Sequence, residues 1–260
     1  MPELPEAEAN RLRIERSCLH RTIEAADLGD DTSYIELPGD NERKRLAGHQ
    51  FTATQRHGKL VFAGSASGPW IAVHLGMSGK LLPFDAGEEP PDHTKFVIRF
   101  EGKRRLAFRC PRKLGWLRVV DNPQAELDRL GFGPDALAMN CDGFCAVVGS
   151  TNGTVKGALL DQHKLAGVGN LWSDEILYRI GIAPQHKASA LGRAQLEQMF
   201  DAMRTLLSAA VSAEADYSKL PDDYLVRHRE KGTSCPLCGG KIRTAKVSGR
   251  TAYFCADHQS

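Results

Sequence analysis

The stretch Phe96-Val97-Ile98-Arg99-Phe100-Glu101-Gly102-Lys103-Arg104-Arg105-Leu106-Ala107-Phe108-Arg109 is the one from which the fold of this chain can be built outward. Phe96, Ile98 and Phe100 recur at every second position, Glu101-Gly102 supplies a turn, and Leu106 and Phe108 resume the alternation, which is the period of a strand buried on one face. Toward the N-terminus, Phe51 to Arg56, Leu60 to Ala63 and Trp70 to Leu75 read as further strands, and Asp85 to Asp92, with Gly87, Pro90 and Pro91, reads as an exposed loop. A β-rich half over roughly residues 50 to 120 closes naturally as a sandwich or a barrel. Toward the C-terminus, Asp121 to Thr154 is rich in turn formers and reads as a connection. Helices follow. Val155 to Lys164 leads through Gly167-Val168-Gly169-Asn170 into a segment with Trp172, Ile176, Leu177 and Ile180 at helical spacing, stopped by Gly181 and Pro184. A long helix carries Leu196, Met199, Phe200, Met203, Leu206 and Leu207 on its core face, with Ser189 as its expected cap.

The two ends of the chain carry the chemistry. Cys235-Pro-Leu-Cys238 and Cys255-Ala-Asp-His258 are two short-spaced ligand pairs separated by a hairpin-sized loop, the spacing of a tetrahedral structural zinc site with three thiolates and one imidazole. Gly249 divides the intervening residues into two short segments, Ile242 to Val247 and Thr251 to Phe254, as in a two-stranded finger. Four closed ligand positions leave no place for water, which excludes a zinc hydrolase. Cys18, Cys110, Cys141 and Cys145 have no metal spacing.

At the start, Met1 is followed by Pro2, Glu3, Leu4, Pro5 and Glu6. Removal of Met1 leaves a secondary amine flanked by carboxylates. An α-amino group titrates near ~7.7 to 8.0 and a lysine near ~10.4, so far more of the former is neutral and nucleophilic at pH 7. Condensed with an aldehyde carbon, such an amine gives a charged iminium that acidifies neighbouring C–H bonds, and elimination follows. The same residues also suit a plain helix start, with proline at N1 and acids in the first turn. Both readings share a helix through Ala9, Leu12, Arg16 and Leu19.

The chain has 260 residues, 42% hydrophobic, enough for about two domains and a small appendage. No apolar run approaches the ~18 residues of a membrane span and MPELPEAE lacks the regions of a signal peptide, so a cytoplasmic, nucleoid-associated monomer without a membrane partner is expected. Net charge is only +2, but it is unevenly placed. Glu24 to Glu42 carries seven acids and no base, Arg99 to Arg118 eight bases and one acid, and Tyr224 to Arg250 seven bases and one acid. Two basic stretches in a nearly neutral protein point to a localised polyanion site. The glycines at 167 and 169 allow close approach, and backbone N–H groups at the next helix start can hold a phosphate.

These residues occur together and in this order in a known family. The start through Glu6, His74-Leu-Gly-Met77-Ser-Gly79, Pro111-Arg112-Lys113-Leu114-Gly115, the run from Leu159-Leu-Asp-Gln162 through Ala166-Gly-Val-Gly-Asn170, and the terminal finger resemble the formamidopyrimidine-type branch of the Fpg/Nei family of DNA glycosylases. The resemblance covers essentially the whole chain. It implies an α+β multidomain protein: an N-terminal antiparallel β-sandwich with an N-terminal helix over residues 1–121, a helix-two-turn-helix domain over 122–224, and a β-hairpin zinc finger over 225–260. It implies a glycosylase and abasic-site lyase of base excision repair that acts on damaged double-stranded DNA, and one structural zinc held by Cys235, Cys238, Cys255 and His258. Pro2 would attack C1′ and Glu3 would protonate the opening sugar. Glu6 would support the site electrostatically. Lys59 would bind the phosphate beside the lesion and assist β-elimination, and Arg250 would bind phosphate and assist δ-elimination. Met77, Arg112 and Leu114 would fill the gap left by the flipped base, and Asn170, His74, His93 and Lys156 would make further DNA contacts. A non-catalytic damaged-DNA-binding zinc protein is the alternative reading.

The chain departs from the family pattern in several places. Leu114 stands where Phe is usual, Cys110 where Asp is usual, and His258 where a fourth Cys is usual. Gly149 to Gly153 lacks a DNA-contacting lysine, and Val211 to Tyr224 is too short for the long glycine-rich loop that closes over 8-oxoguanine.

Overall fold

The computed structural model describes residues 2–260, so Met1, whose removal the amine chemistry requires, lies outside the described residues. The chain divides into two compact units: Pro2 with residues 6–131, and residues 3–5 with 132–260.

The first unit is two four-stranded antiparallel sheets. One has the order β1(Ile23–Leu28), β6(Thr94–Phe100), β7(Arg104–Arg109), β5(Lys80–Asp85); the other has β2(Ala53–His57), β3(Leu60–Gly64), β4(Trp70–His74), β8(Trp116–Val120). The hairpin first read from the sequence is β6–β7, with Phe96 opposite Phe108 and Ile98 opposite Leu106. These four side chains share one buried core with Ile23 and Leu81 of their own sheet and with Val61, Ile71, Val73 and Leu117 of the other, which makes the unit a sandwich. Helix α1(Leu4–Cys18) adds Ala7, Ile14 and Cys18 to that core. Its Asn10 Oδ1 accepts the buried Leu81 N–H at 2.7 Å, and Glu8 receives Arg56 at 3.2 Å.

Several elements in and beside this unit were not read from the sequence. β1 is an acidic edge strand with little alternation, while α2(Asp40–Leu46), β5 and β8 are short. The connection after Asp121 contains α3(Pro123–Leu130) and α4(Cys141–Gly149). Asn122 Oδ1 accepts the Ala125 N–H at 2.8 Å, Pro123 opens α3, and Gly131 closes it at φ 64°. Asn140 caps α4 in the same way. The residue types that punctuate loops are also those that begin and end helices, so composition alone does not separate the two.

In the second unit α4, α5(Val155–Leu160), α6(Asn170–Arg179) and α7(Arg193–Ser212) enclose a core of Phe144, Val148, Leu159, Trp172, Ile176 and the whole predicted face of α7. α7 is capped by Gly192, whose N–H donates to Gln195 Oε1 at 3.0 Å, rather than by Ser189. α5 stops at Leu160, four residues before the expected end. Gln162 then stitches the turn: its Nε2 donates to the Leu160 and Val168 carbonyls and its Oε1 accepts the Gly167 N–H. β9(Ile242–Val247) and β10(Arg250–Cys255) form the terminal hairpin, turning through Ser248 (φ 49°) and Gly249 (φ 72°), the pair of positive φ angles that a two-residue turn between twisted strands requires. Among the described residues no helix is long and apolar enough to cross a membrane.

Candidate functional site

In the first unit the candidate residues gather where strands give way to loops. Gly58 (φ 55°) turns β2 into β3 and leaves Lys59 half-buried at the head of β3. Leu60 pairs with His74 across β3–β4, and His74 with Trp116 across β4–β8. The imidazole stacks on the Trp116 indole with centroids 5.8 Å apart, and its Nδ1 accepts the Gly76 N–H at 3.3 Å. Burial, with the Lys59 charge adding to it, pushes His74 down to about 4. The ring is therefore neutral at pH 7, and with Nδ1 accepting, the proton sits on Nε2 as a donor.

Met77 lies in the β4–β5 loop, and Arg112 and Leu114 in the β7–β8 loop. A Cβ on Gly76 would meet the Leu114 carbonyl carbon at 2.3 Å, and one on Gly115 would meet the His74 carbonyl oxygen at 2.6 Å. Only glycines let these loops pack backbone against backbone, and the result leaves Met77 37% and Leu114 54% exposed. Exposed apolar side chains on a braced edge are suited to wedging between bases. His93, exposed at φ 63°, joins this edge through its carbonyl, which accepts the Cys110 N–H at 3.0 Å. Lys113 is tied back by Asp31 at 2.5 Å, whereas its neighbour Arg112 is exposed. Pro2 and Glu6 are part-exposed.

In the second unit Glu3 is 2% exposed. Its carboxylate accepts N–H groups from Gly169 at 2.8 Å, Leu171 at 2.8 Å and Trp172 at 3.2 Å, the unpaired donors at the head of α6. These are the groups read from the sequence as able to hold a phosphate. The structure corrects that reading for Gly169, Leu171 and Trp172, whose N–H groups the carboxylate occupies. A second correction concerns Lys156. It is fully buried, and its ammonium donates to Asp174 Oδ1 at 2.6 Å, Ser173 Oγ at 2.8 Å and the Asn170 carbonyl at 3.2 Å. With all three protons used inside the protein it is a structural ion and not a DNA contact. Burial holds its pKa below the usual lysine value, while Asp174 opposes that shift.

Along one stripe of α6, four residues apart, stand Asn170, Asp174 and Tyr178, and each holds the terminal hairpin. Asn170 Nδ2 donates to the Thr251 carbonyl at 3.0 Å, which leaves its second amide proton for another acceptor. Asp174 Oδ2 accepts the Tyr253 N–H at 3.1 Å and Arg229 at 2.6 Å. Arg250 is exposed at the hairpin turn, between Thr251 and Ser248, whose Oγ lies 2.8 Å from Thr154 Oγ1. The sulfurs of Cys235, Cys238 and Cys255 lie within 4.8 Å of one another. Cys235 is held below the ordinary thiol value: burial opposes ionisation, but the Tyr178 hydroxyl at 3.1 Å and backbone N–H groups of Cys238 and Leu237 outweigh it. His258 is not within that thiol set; its Nε2 donates to the Tyr178 carbonyl at 2.9 Å.

Asp174, Tyr178 and Arg229 were missed as site residues. A signal for them existed. Ser173-Asp174-Glu175 sits in a helix flanked by Trp172, Ile176 and Leu177, and acids in an otherwise apolar helix require buried partners.

Family models described as the formamidopyrimidine-DNA glycosylase N-terminal domain and the formamidopyrimidine-DNA glycosylase H2TH domain match residues 1–117 and 130–222. Among curated relatives, the formamidopyrimidine-DNA glycosylase of Cereibacter sphaeroides is 32% identical over the full length of both chains. That of Arabidopsis thaliana is 30% identical over all of this chain and 71% of its own. A Lactococcus lactis FPG bound to FAPY-dG containing DNA has the same fold, with a TM-score of 0.87, 22% identity and coverage of 99% and 100%. The two matched domains and the curated relatives make the chain a DNA glycosylase of DNA repair. The chain belongs to the formamidopyrimidine-DNA glycosylase family.

Proposed function

We propose that this chain is a bifunctional enzyme that excises oxidised or ring-opened bases from double-stranded DNA and then cleaves the abasic strand. The observation that carries the reading is the placement of Glu3, a buried carboxylate fixed by three N–H groups, immediately after Pro2 in the chain. With Met1 removed, the Pro2 nitrogen attacks C1′ and the damaged base departs. The amine gives up its proton to Glu3, which delivers it to O4′. The sugar opens, and a Pro2 iminium remains at C1′. Loss of a C2′ proton expels the 3′-phosphate (β-elimination); a second elimination expels the 5′-phosphate (δ-elimination), and water releases Pro2. Lys59 and Arg250 hold phosphates during these steps, Glu6 shapes the field around the amine, and the neutral His74 Nε2–H, His93 and the remaining Asn170 amide proton add contacts to the backbone. Met77, Arg112 and Leu114 fill the space of the flipped nucleotide.

A zinc ion fits the thiol cluster. Cys235, Cys238 and Cys255 converge as soft ligands, and His258, which lies outside that set with Nε2 tied to the Tyr178 carbonyl, would turn its Nδ1 in as the fourth. The ion supplies a structural cross-link, and what this chain does with it is hold Arg250 at the hairpin turn. The lesion reading follows from the segment after α7. Glu214 (φ 51°) and Ala215 (φ 60°) turn the chain, Tyr217–Lys219 forms one short helical turn, and after the five residues 220–224 a second short turn begins at Leu225. Among the described residues no long loop follows α7, so the enzyme discriminates weakly among purine lesions.

Borohydride reduction tests the reading. The wild type should become covalently linked to abasic duplex, whereas Pro2→Gly should lose trapping and nicking and still bind DNA. Full nicking by the Pro2→Gly protein would sink the mechanism. A wild type that binds damaged duplex but is never trapped would favour a non-catalytic binding protein.

A further inference from the structure

The four zinc ligands proposed above all come from residues 235–258, yet the groups that orient two of them come from Tyr178, far outside that segment. Tyr178 is fully buried near the C-terminal end of α6, in a small core with Leu225, Cys235, Ile242 and Cys255. Its hydroxyl lies 3.1 Å from Cys235 Sγ, its backbone carbonyl 2.9 Å from His258 Nε2, and its ring 5.2 Å from the His258 ring, crossed at 61°.

Elementary chemistry settles the direction of both bonds. A thiolate on a metal has no proton, so the first contact is O–H···S with tyrosine as donor. A carbonyl has no proton either, so Nε2–H donates in the second, and the imidazole lone pair is left on Nδ1. One residue therefore sets the tautomer of the nitrogen ligand and moderates the charge on a sulfur ligand. That moderation matters because three thiolates around a divalent ion leave a net negative centre, and Cys235, unlike the exposed Cys238, is buried away from solvent. The departure at position 258, histidine in place of a thiol, is what creates the need for a carbonyl acceptor.

We propose that Tyr178 is the positioning residue of the zinc site, donating through its hydroxyl to the Cys235 thiolate and presenting His258 through Nδ1. The proposal rests on the zinc reading above. Outer-sphere partners of this kind are worth about 10- to 100-fold in metal affinity.

The test uses the full-length zinc protein and its Tyr178→Phe variant, which keeps the ring and the carbonyl and removes only the oxygen. Zinc should pass to a chromogenic chelator at about 10- to 100-fold lower chelator excess in the variant. In the cobalt-substituted protein the sulfur-to-metal charge-transfer band should shift, a change that loosened packing alone does not produce. Nitrogen NMR of His258 in the zinc protein should show a protonated Nε2. A Tyr178→Phe protein with wild-type zinc retention and an unchanged cobalt spectrum, or a His258 protonated at Nδ1, would overturn the proposal. A wild type that binds no zinc, or a His258→Ala protein whose cobalt spectrum equals that of the wild type, would instead remove the zinc reading, and this proposal with it.

Discussion

Gly169 and Glu3 are packed so closely that a Cβ on Gly169 would fall 2.3 Å from the Glu3 carboxyl carbon and 2.5 Å from its Oε1. Gly169→Ala therefore displaces the carboxylate from the head of α6. A misplacement of about 1 Å in a reacting group can cost on the order of 100-fold in rate. We expect that loss in single-turnover base excision, with duplex binding reduced far less. Wild-type excision by Gly169→Ala would show that the fixed position of Glu3 is not needed.

Asp174 neutralises two cations, Lys156 at 2.6 Å and Arg229 at 2.6 Å, one of them fully buried. Removing one partner of a buried ion pair leaves an uncompensated charge, at a cost of about 3 to 5 kcal/mol. Asp174→Asn should lower the denaturation midpoint of the second unit accordingly and loosen the hairpin that carries Arg250. Paired replacement of Lys156 and Asp174 by apolar residues should cost less than Asp174→Asn alone. Chemical denaturation of the three proteins decides the matter.

Glu175 gives the stability of the protein a pH dependence. Burial pushes it up to about 7, against the opposing N–H groups of Val226 at 2.7 Å and Leu225 at 3.1 Å. Between the unfolded value of about 4.3 and the folded value, the folded protein holds a proton that the unfolded chain has released. Stability from this group is thus present at pH 4 to 5 and is lost as pH rises through 7. Denaturation of wild type and Glu175→Gln at pH 5, 6, 7 and 8 should show a falling difference that the variant lacks. Parallel curves would refute it.

The lesion preference is measured directly. With only a short helical turn at Tyr217–Lys219 after α7, we expect efficient cleavage of abasic sites, activity on ring-opened and ring-saturated bases, and weak selectivity for 8-oxoguanine. Single-turnover rates on the three kinds of duplex provide the comparison. A rate on 8-oxoguanine opposite cytosine far above the others would contradict it.

What could be read in advance was what is local. The β6–β7 hairpin follows from its own alternation, and the thiol pairs from their spacing, because each pattern is complete within a few residues. The contacts that decide the fate of Lys156 and of the N–H groups at Gly169 are not local. Glu3 lies 166 residues before Gly169, and nothing in Gly167-Val-Gly169 records that a carboxylate arrives to fill that helix head. Lys156 precedes Asp174 by 18 residues, and a lysine in a helix looks solvated until its acidic partner is known to be buried. The helices after Asp121 were hidden for a different reason, since Asn122, Pro123 and Gly131 announce a loop and a capped helix in the same letters.

The stripe Asn170, Asp174, Tyr178 has a geometric consequence for how the chain tolerates change. Four residues of helix advance about 6 Å, and two residues of strand about 6.8 Å, so the two lattices are nearly commensurate. Thr251 and Tyr253 meet Asn170 and Asp174 in just that cadence, and the thiol of Cys255, two residues further on, shares the core around Tyr178. Helix and hairpin mesh like a vernier. A single residue inserted into α6 would advance its phase by about 100°, and one inserted into β10 would turn its alternate faces over. Length along this seam is therefore constrained even where residue identity is free.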